Sequence, residues 1–230
     1  CSTFEEVFEL GRDNPEYKII IPIENSLAGR VADIHYLIPK YKLQIHSEHF
    51  QKVTHNLLGI KGSKIKDIKT VRSHAQALGQ AQKFISTNKL ISITAADTAG
   101  SAKFISENND KSQGAIASEL AAKIYDLEIL KSSVEDESGN TTRFLILQKD
   151  PTHPELSDKK YITTCIFQLK SVPASLFKAL GSFATNGVNL CKLESFSVKN
   201  TFDQVNFYID IEGHIEEKKL QKSLEELGFH

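Results

Sequence analysis

Four short stretches place small, hydroxylated or carboxylate residues directly after an apolar run and directly before a helical pattern. They are Pro22-Ile23-Glu24-Asn25-Ser26, Arg72-Ser73-His74, Ala95-Ala96-Asp97-Thr98-Ala99-Gly100 and Ile116-Ala117-Ser118. In open α/β sheets, ligands collect outside the carboxyl ends of the strands, where free helix amides hold anions. Four such ends in one domain would suit a small anionic ligand. The same residue types cap helices where no ligand is present, so each cluster alone leaves both readings open. Arginine is scarce, with Arg12, Arg30, Arg72 and Arg143 against a large excess of lysine. Three of the four lie in or beside these clusters or in a late strand. A guanidinium grips carboxylates bidentately, and structural ion pairs account equally well for the placement. The run Asn140-Thr141-Thr142-Arg143-Phe144 brings a hydroxyl, a guanidinium and an aromatic ring to the start of a strand. On a regular strand Thr142 and Phe144 share one face and Arg143 takes the other.

Other chemistries find no footing. His46 and His49 are three apart on a predicted strand, face opposite sides and cannot share a metal. Glycine-rich nucleotide motifs, H-E-x-x-H and G-x-S-x-G are absent. The three cysteines, Cys1, Cys165 and Cys191, form neither a disulfide framework nor a zinc pair, and the latter two sit in apolar strands.

The elements that must position these residues follow from periodicity and caps. Helices are predicted at Thr3–Gly11, Ala28–Ile38, His74–Ile85, Asp97–Ser106 and Glu119–Tyr125. Strands are predicted at Tyr17–Ile23, Leu43–Ile60 (one long or two short), Thr70–Arg72, Leu90–Thr94, Gln113–Ala117 and Arg143–Gln148. Alternating strands and helices predict an α/β architecture with mainly parallel pairing. Lys149–Lys160 is polar, aperiodic and holds two of the six prolines, and reads as a linker. Beyond it the order is strand Tyr161–Lys170, helix Pro173–Asn186, strand Val188–Val198, strand Phe202–Ile211 and helix Glu216–Leu227. This βαββα order is one strand short of the split βαββαβ unit.

The chain has 230 residues, enough for one or two domains with full cores. Its 28 Lys and Arg nearly balance 29 Asp and Glu, for a net charge of −1. That balance argues against broad nucleic-acid binding, which needs a basic surface to displace counterions. The longest apolar run, about Ile19–Ile23, falls far short of a membrane span, so no membrane partner is expected, and the setting predicted is reducing and cytoplasmic. With no Met and an opening at Cys1, sequence is expected to be missing at the start, and a final edge strand after His230.

Taken in order, these segments resemble prephenate dehydratase over essentially the whole chain. Pro22-Ile23-Glu24-Asn25-Ser26 with Gly29-Arg30-Val31 is similar to the family's P-I-E-N-S…G-x-V. Ser73-His74-Ala75-Gln76-Ala77-Leu78 with Gln80 resembles S-H-P-Q-A-L-x-Q, with Ala75 in place of proline. Asp97-Thr98-Ala99-Gly100-Ser101-Ala102, Gly114–Ser118 and Thr142-Arg143-Phe144 resemble the remaining motifs in order. The tail resembles an ACT module, with Val172–Leu176 similar to a P-G-A-L loop and Asn189–Ser195 to N-L-x-K-I-E-S-R-P. Ala174 stands where the family has glycine, and Phe196-Ser197 where it has Arg-Pro.

The resemblance implies a two-lobed, periplasmic-binding-protein-like α/β catalytic domain over residues 1–149, with a second lobe at about 72–130. An α+β, ferredoxin-like ACT regulatory domain over 161–230 follows the linker at 150–160. It implies a carbon–oxygen lyase that converts prephenate to phenylpyruvate, water and CO2 in phenylalanine synthesis. No metal or organic cofactor is implied, because aromatisation drives the reaction. Thr142 would be the catalytic hydroxyl, relaying a proton from Glu24. Asn25, Ser26, Ser73, Gln80, Thr98, Ala99, Arg143 and Phe144 would bind substrate. Ala174, Ser175, Leu176, Asn189, Leu190, Glu194 and Ser195 would bind L-phenylalanine as effector, in a homodimer or homotetramer. Arogenate dehydratase is the nearest alternative, and a non-catalytic amino-acid or anion sensor of the same fold the alternative from another class.

Overall fold

The computed structural model describes residues 1, 3–31, 34–150, 153–170, 172–197 and 204–229. In chain order the elements are α1 (Phe4–Asp13), β1 (Ile19–Asn25), β2 (Gly29–Arg30), α2 (Ile34–Tyr41), β3 (Gln44–Lys52), β4 (Asn56–Gly59), β5 (Thr70–His74), α3 (Ala75–Gly79), α4 (Gln82–Thr87), β6 (Ile91–Ala95), α5 (Thr98–Asn108), β7 (Gln113–Ala117), α6 (Glu119–Ile124), β8 (Glu128–Lys131) and β9 (Thr141–Gln148). The tail adds β10 (Ile162–Gln168), α7 (Ser175–Thr185), β11 (Leu190–Ser197), β12 (Val205–Glu212) and α8 (Lys218–Leu227). The expected strand ends at Val198 and Phe202 lie outside the described residues.

Local capping explains where several helices start. Thr3 accepts from the Glu6 amide, Asp97 from Gly100 and Ser118 from Ala121, each satisfying an N-terminal N–H that has no partner within its helix. Two expectations need correction. The helix predicted over 28–38 begins only at Ile34, because Gly29 takes a left-handed turn (φ +78) and the Val31 amide donates to the Ile23 carbonyl. The helix predicted from His74 to Ile85 is broken at Gln80. The Gln80 carbonyl accepts from the Asp136 amide, and the Asp136 carboxylate caps α4 by accepting from the Lys83 amide.

The chain divides into two units. One comprises Cys1–Glu24, Arg30–His49 and Arg143–His230; the other comprises Asn25–Gly29 and Phe50–Thr142. In the first, a sheet of order β2-β1-β9-β3 packs against α1 and α2 through Phe8, Ile21, Ile23, Ile34, Leu145 and Leu147. The tail's three-stranded sheet, order β10-β12-β11, is antiparallel throughout and buries Phe183, Ile209, Ile211 and Leu220 against α7 and α8. So the predicted βαββα order is present, and its β10 residue Ile166 reaches the α1–α2 core.

The second unit carries a five-stranded sheet of order β6-β5-β7-β4-β8. The β5–β6 and β5–β7 pairs are parallel, as predicted; the β4 pairs are antiparallel. Both faces are covered: Leu57 joins a cluster with Val71, Leu78 and Ile116, while Leu58 faces Ala102, Ile105 and Ala115. A strand buried on both sides reads as a continuous apolar run, which is why β4 shows no alternation. Because β4 and β8 complete this sheet, the unit starts near residue 50 rather than at 72.

Candidate active site

Asn25 closes β1 and begins a tight turn. Its Oδ1 accepts from the amides of Leu27 (3.1 Å) and Ala28 (2.9 Å). A backbone N–H can only donate, so this oxygen is fixed as the acceptor and Nδ2 must face the other way. Nδ2 donates to Asn140 Oδ1 at 2.6 Å and to Thr142 Oγ1 at 3.1 Å. The sense of the next bonds follows from the first. Asn140 Nδ2 donates to Gln80 Oε1 at 2.9 Å, and His55 Nε2 lies 2.8 Å from the same oxygen. Asn140 is 2% exposed and His55 is 6% exposed, so this amide chain is shielded from competing water.

The local fold holds each member. Ser26 donates its hydroxyl to the Gly139 carbonyl and accepts from the Thr141 amide, and its own amide donates to Thr141. The segment before Asn140 is tied on both sides: the Val134 amide donates to the His55 carbonyl, and Glu135 accepts from the His55 amide. Gln80 is presented by the break between α3 and α4 described above.

Thr142 Oγ1 therefore has an acceptor position filled by Asn25, which leaves its own proton for a further acceptor. This is the arrangement a positioned hydroxyl donor requires.

Other expected site residues fall elsewhere. Ser73, fully buried, donates its hydroxyl to the Ile116 carbonyl at 2.6 Å and ties β5 to β7, so that hydroxyl is not available to a ligand. Ser26 likewise spends its hydroxyl within the chain. Thr98 and Ala99 open α5 behind the Asp97 cap, with no hydrogen bond to the Asn25 network among the described contacts. Phe144 is half-buried on β9.

Of the two readings left open for Arg143, the structure shows the ion pair. Its Nε donates to Glu48 at 2.7 Å and its Nη1 to Asp210 of β12 at 2.5 Å. Burial opposes its charge, yet the bond to Asp210 and the fields of Asp210 and Glu48 prevail and hold it protonated more firmly than a free guanidinium. The other arginines are also engaged: Arg12 with Asp13, Arg30 with the Ser195 carbonyl, and Arg72 over the Phe104 ring at 4.0 Å.

Glu24, expected as a proton source, forms an ion pair with Lys192 of β11 at 2.6 Å. Lys192 also reaches Glu194 at 3.0 Å, and Glu194 lies 3.2 Å from His35 Nε2. Glu194 is thus paired through Oε1 with Lys192, while its Oε2 is buried without a hydrogen-bond partner among the described residues. Strand alternation explains the split. Lys192 and Glu194 pair across the sheet with Asp210 and Tyr208 on the face turned to α2 and β1, and Leu193 pairs with Ile209 on the helix side. Ala174 adopts a left-handed conformation (φ 64) ahead of α7, a conformation glycine takes without steric cost. Ser175 donates its amide to Val172, Asn189 accepts from Glu212, and Leu190 packs in the tail core.

A family model described as prephenate dehydratase matches residues 1–152. The chain belongs to the prephenate dehydratase family. It is 41% identical over 229 residues to a bifunctional N-acyl-homoserine lactone acylase/prephenate dehydratase from Komagataeibacter europaeus, covering 100% of this chain and 82% of that protein. Identity is 37% to arogenate dehydratase/prephenate dehydratase 1 of Arabidopsis thaliana, across 97% of this chain and 60% of the plant protein. The structure of an Arthrobacter aurescens prephenate dehydratase in complex with L-Phe superposes with a TM-score of 0.89 at 26% identity, covering 100% of this chain and 76% of that one. The mixed α/β fold is thus that of solved family members. No helix among the described residues is long and apolar enough to cross a membrane, and no group of three or more candidate metal ligands occurs among them.

Sequence reasoning missed His55 and the part played by Asn140. A lone histidine before an apolar strand carries no signal by itself. Asn140 lay in view within the Thr142 cluster but had no partner assigned.

Proposed function

We propose that this chain catalyses the decarboxylating dehydration of prephenate to phenylpyruvate, with Thr142 as the catalytic hydroxyl. The carbon–carbon bond to the ring carboxylate breaks, and its electron pair enters the ring. The ring C–O bond breaks, and the departing oxygen takes up a proton along the Thr142 hydroxyl, replaced from solvent, to leave as water. Hydroxide is a poor leaving group, so a donor aimed at the departing oxygen lowers the barrier. The carrying observation is the Asn25 bond to Thr142 Oγ1, which occupies its acceptor position and turns its proton outward. Gln80 and Asn140 hold Asn25 in that sense. Glu24 enters as a carboxylate anchored by Lys192 rather than as the acid, and Arg143 as a support of β9.

Relatives named for arogenate support a second substrate with an amino group in place of the keto oxygen. The tail is read as an ACT-type module that takes L-phenylalanine in a cytoplasmic homodimer or homotetramer, supported by its βαββα order and by the likeness to the phenylalanine-bound relative. Lys192–Glu24 and Arg143–Asp210 would carry its state to the two motif strands, β1 and β9.

The test is turnover of prephenate and arogenate by the wild type and by Thr142→Ala, with and without phenylalanine. Loss of turnover by about 10²–10³, the scale seen when one such donor is removed, with KM little changed, is the expected result. Near-normal turnover in Thr142→Ala would sink the assignment. A phenylalanine response absent at millimolar levels would remove the sensing role.

A further inference from the structure

We infer that His55 is a positioning residue for the Thr142 hydroxyl, acting through Gln80, Asn140 and Asn25. The inference rests on the proposed role of Thr142. The polarity argument begins at two backbone amides. Leu27 and Ala28 N–H fix Asn25 Oδ1 as acceptor, so Asn25 Nδ2 donates to Asn140 Oδ1 and to Thr142. Asn140 Nδ2 must then donate to Gln80 Oε1. That oxygen has two lone pairs, and His55 Nε2 at 2.8 Å can engage the second only by bringing a hydrogen. The ring is therefore the Nε2–H tautomer and terminates the chain.

Without a histidine donor, the Gln80 amide is held at that oxygen by Asn140 alone. A flipped Gln80 would oppose its NH2 to the Asn140 NH2. Asn140 would turn, put its own NH2 against Asn25 Nδ2, and loosen the group that orients Thr142. His55 is suited to prevent this because it is itself fixed: its ring is 6% exposed, its amide donates to Glu135 Oε2 at 3.1 Å and its carbonyl accepts from the Val134 amide at 2.8 Å. The Leu27 and Ala28 amides set the sense of Asn25, and His55 secures it at the far end of the chain through Gln80 and Asn140.

The test uses the full chain with His55→Phe, which keeps a ring and removes the donor, and His55→Gln, whose amide NH2 can reach the Nε2 position. His55→Phe should lower kcat by roughly tenfold, the loss expected of one neutral hydrogen bond in a coupled chain, with KM within about twofold. His55→Gln should recover most of that loss. Unchanged kcat in His55→Phe, or no recovery in His55→Gln, would overturn the inference while leaving Thr142 in place. A readout independent of turnover separates it from failure of the proposed reaction. Nitrogen-15 NMR of labelled histidine at pH 8, assigned against His55→Gln, should show the Nε2–H tautomer at His55; an Nδ1–H ring would refute the inference whatever the enzyme does.

Discussion

Thr142 and Arg143 are adjacent in the chain and should fail in opposite ways. Arg143 is 13% exposed and its partner Asp210 is 1% exposed. In Arg143→Met the apolar stem remains, but Asp210 loses its cation while still accepting from the Thr164 hydroxyl at 2.6 Å. Removing one member of a buried pair costs roughly 3–5 kcal/mol, because the other is left as an uncompensated charge. The Glu48 pair, with Glu48 32% exposed, adds about 0–1 kcal/mol at most. Against a total stability of roughly 5–15 kcal/mol, the loss should move the urea midpoint down by about 1–2 M. The double variant Arg143→Met with Asp210→Asn removes the stranded charge and should recover most of the midpoint, while neither variant raises KM by more than about twofold in the folded protein. The assay is urea unfolding followed by fluorescence of the tyrosines, with steady-state kinetics on the same samples. An Arg143→Met protein with the wild-type midpoint and a KM raised about tenfold or more would refute the reasoning, since the guanidinium would then be gripping a substrate carboxylate.

Two further outcomes follow from single positions. Ala174→Gly relieves a left-handed non-glycine residue, worth roughly 1 kcal/mol net of the added freedom of the unfolded chain, and should raise Tm by about 2–4 °C in a scanning calorimeter; a lower Tm would contradict it. Burial, opposed by Glu194 and reinforced by Lys192 and Arg30, lowers the His35 pKa from 6.5 to about 4. The folded state therefore favours the neutral ring, so its contribution is present above pH 6.5 and lost as pH falls through 4. His35→Gln should flatten that segment of the stability–pH curve; an unchanged slope would place its origin elsewhere.

Much of the local structure was written in neighbouring residues. Thr3, Asp97 and Ser118 announce helix starts because an N-cap bond spans only three residues. The opposite facing of Thr142 and Arg143 follows from strand geometry alone, while Asn25 and Thr142 stand out as motif members through the resemblance of their segments to the family's. The helix break at Gln80 was not legible, because its cause, Asp136, lies 53 residues from Lys83, whose amide it receives.

The decisive contacts of the site are longer still. Asn25 meets Thr142 across 117 positions, His55 meets Gln80 across 25, and Arg143 meets Asp210 across 67. Residue type tells what a side chain can donate or accept; it says nothing about which distant group will be brought within 3 Å. Sequence alone determined the βαββα order of the tail, the family and the hydroxyl to suspect. Only the tertiary structure decided that Arg143, Ser73 and Glu24 are spent on the protein itself and that a buried histidine closes the amide chain, since hydrogen-bond partners are chosen by packing and the need to satisfy every buried polar group.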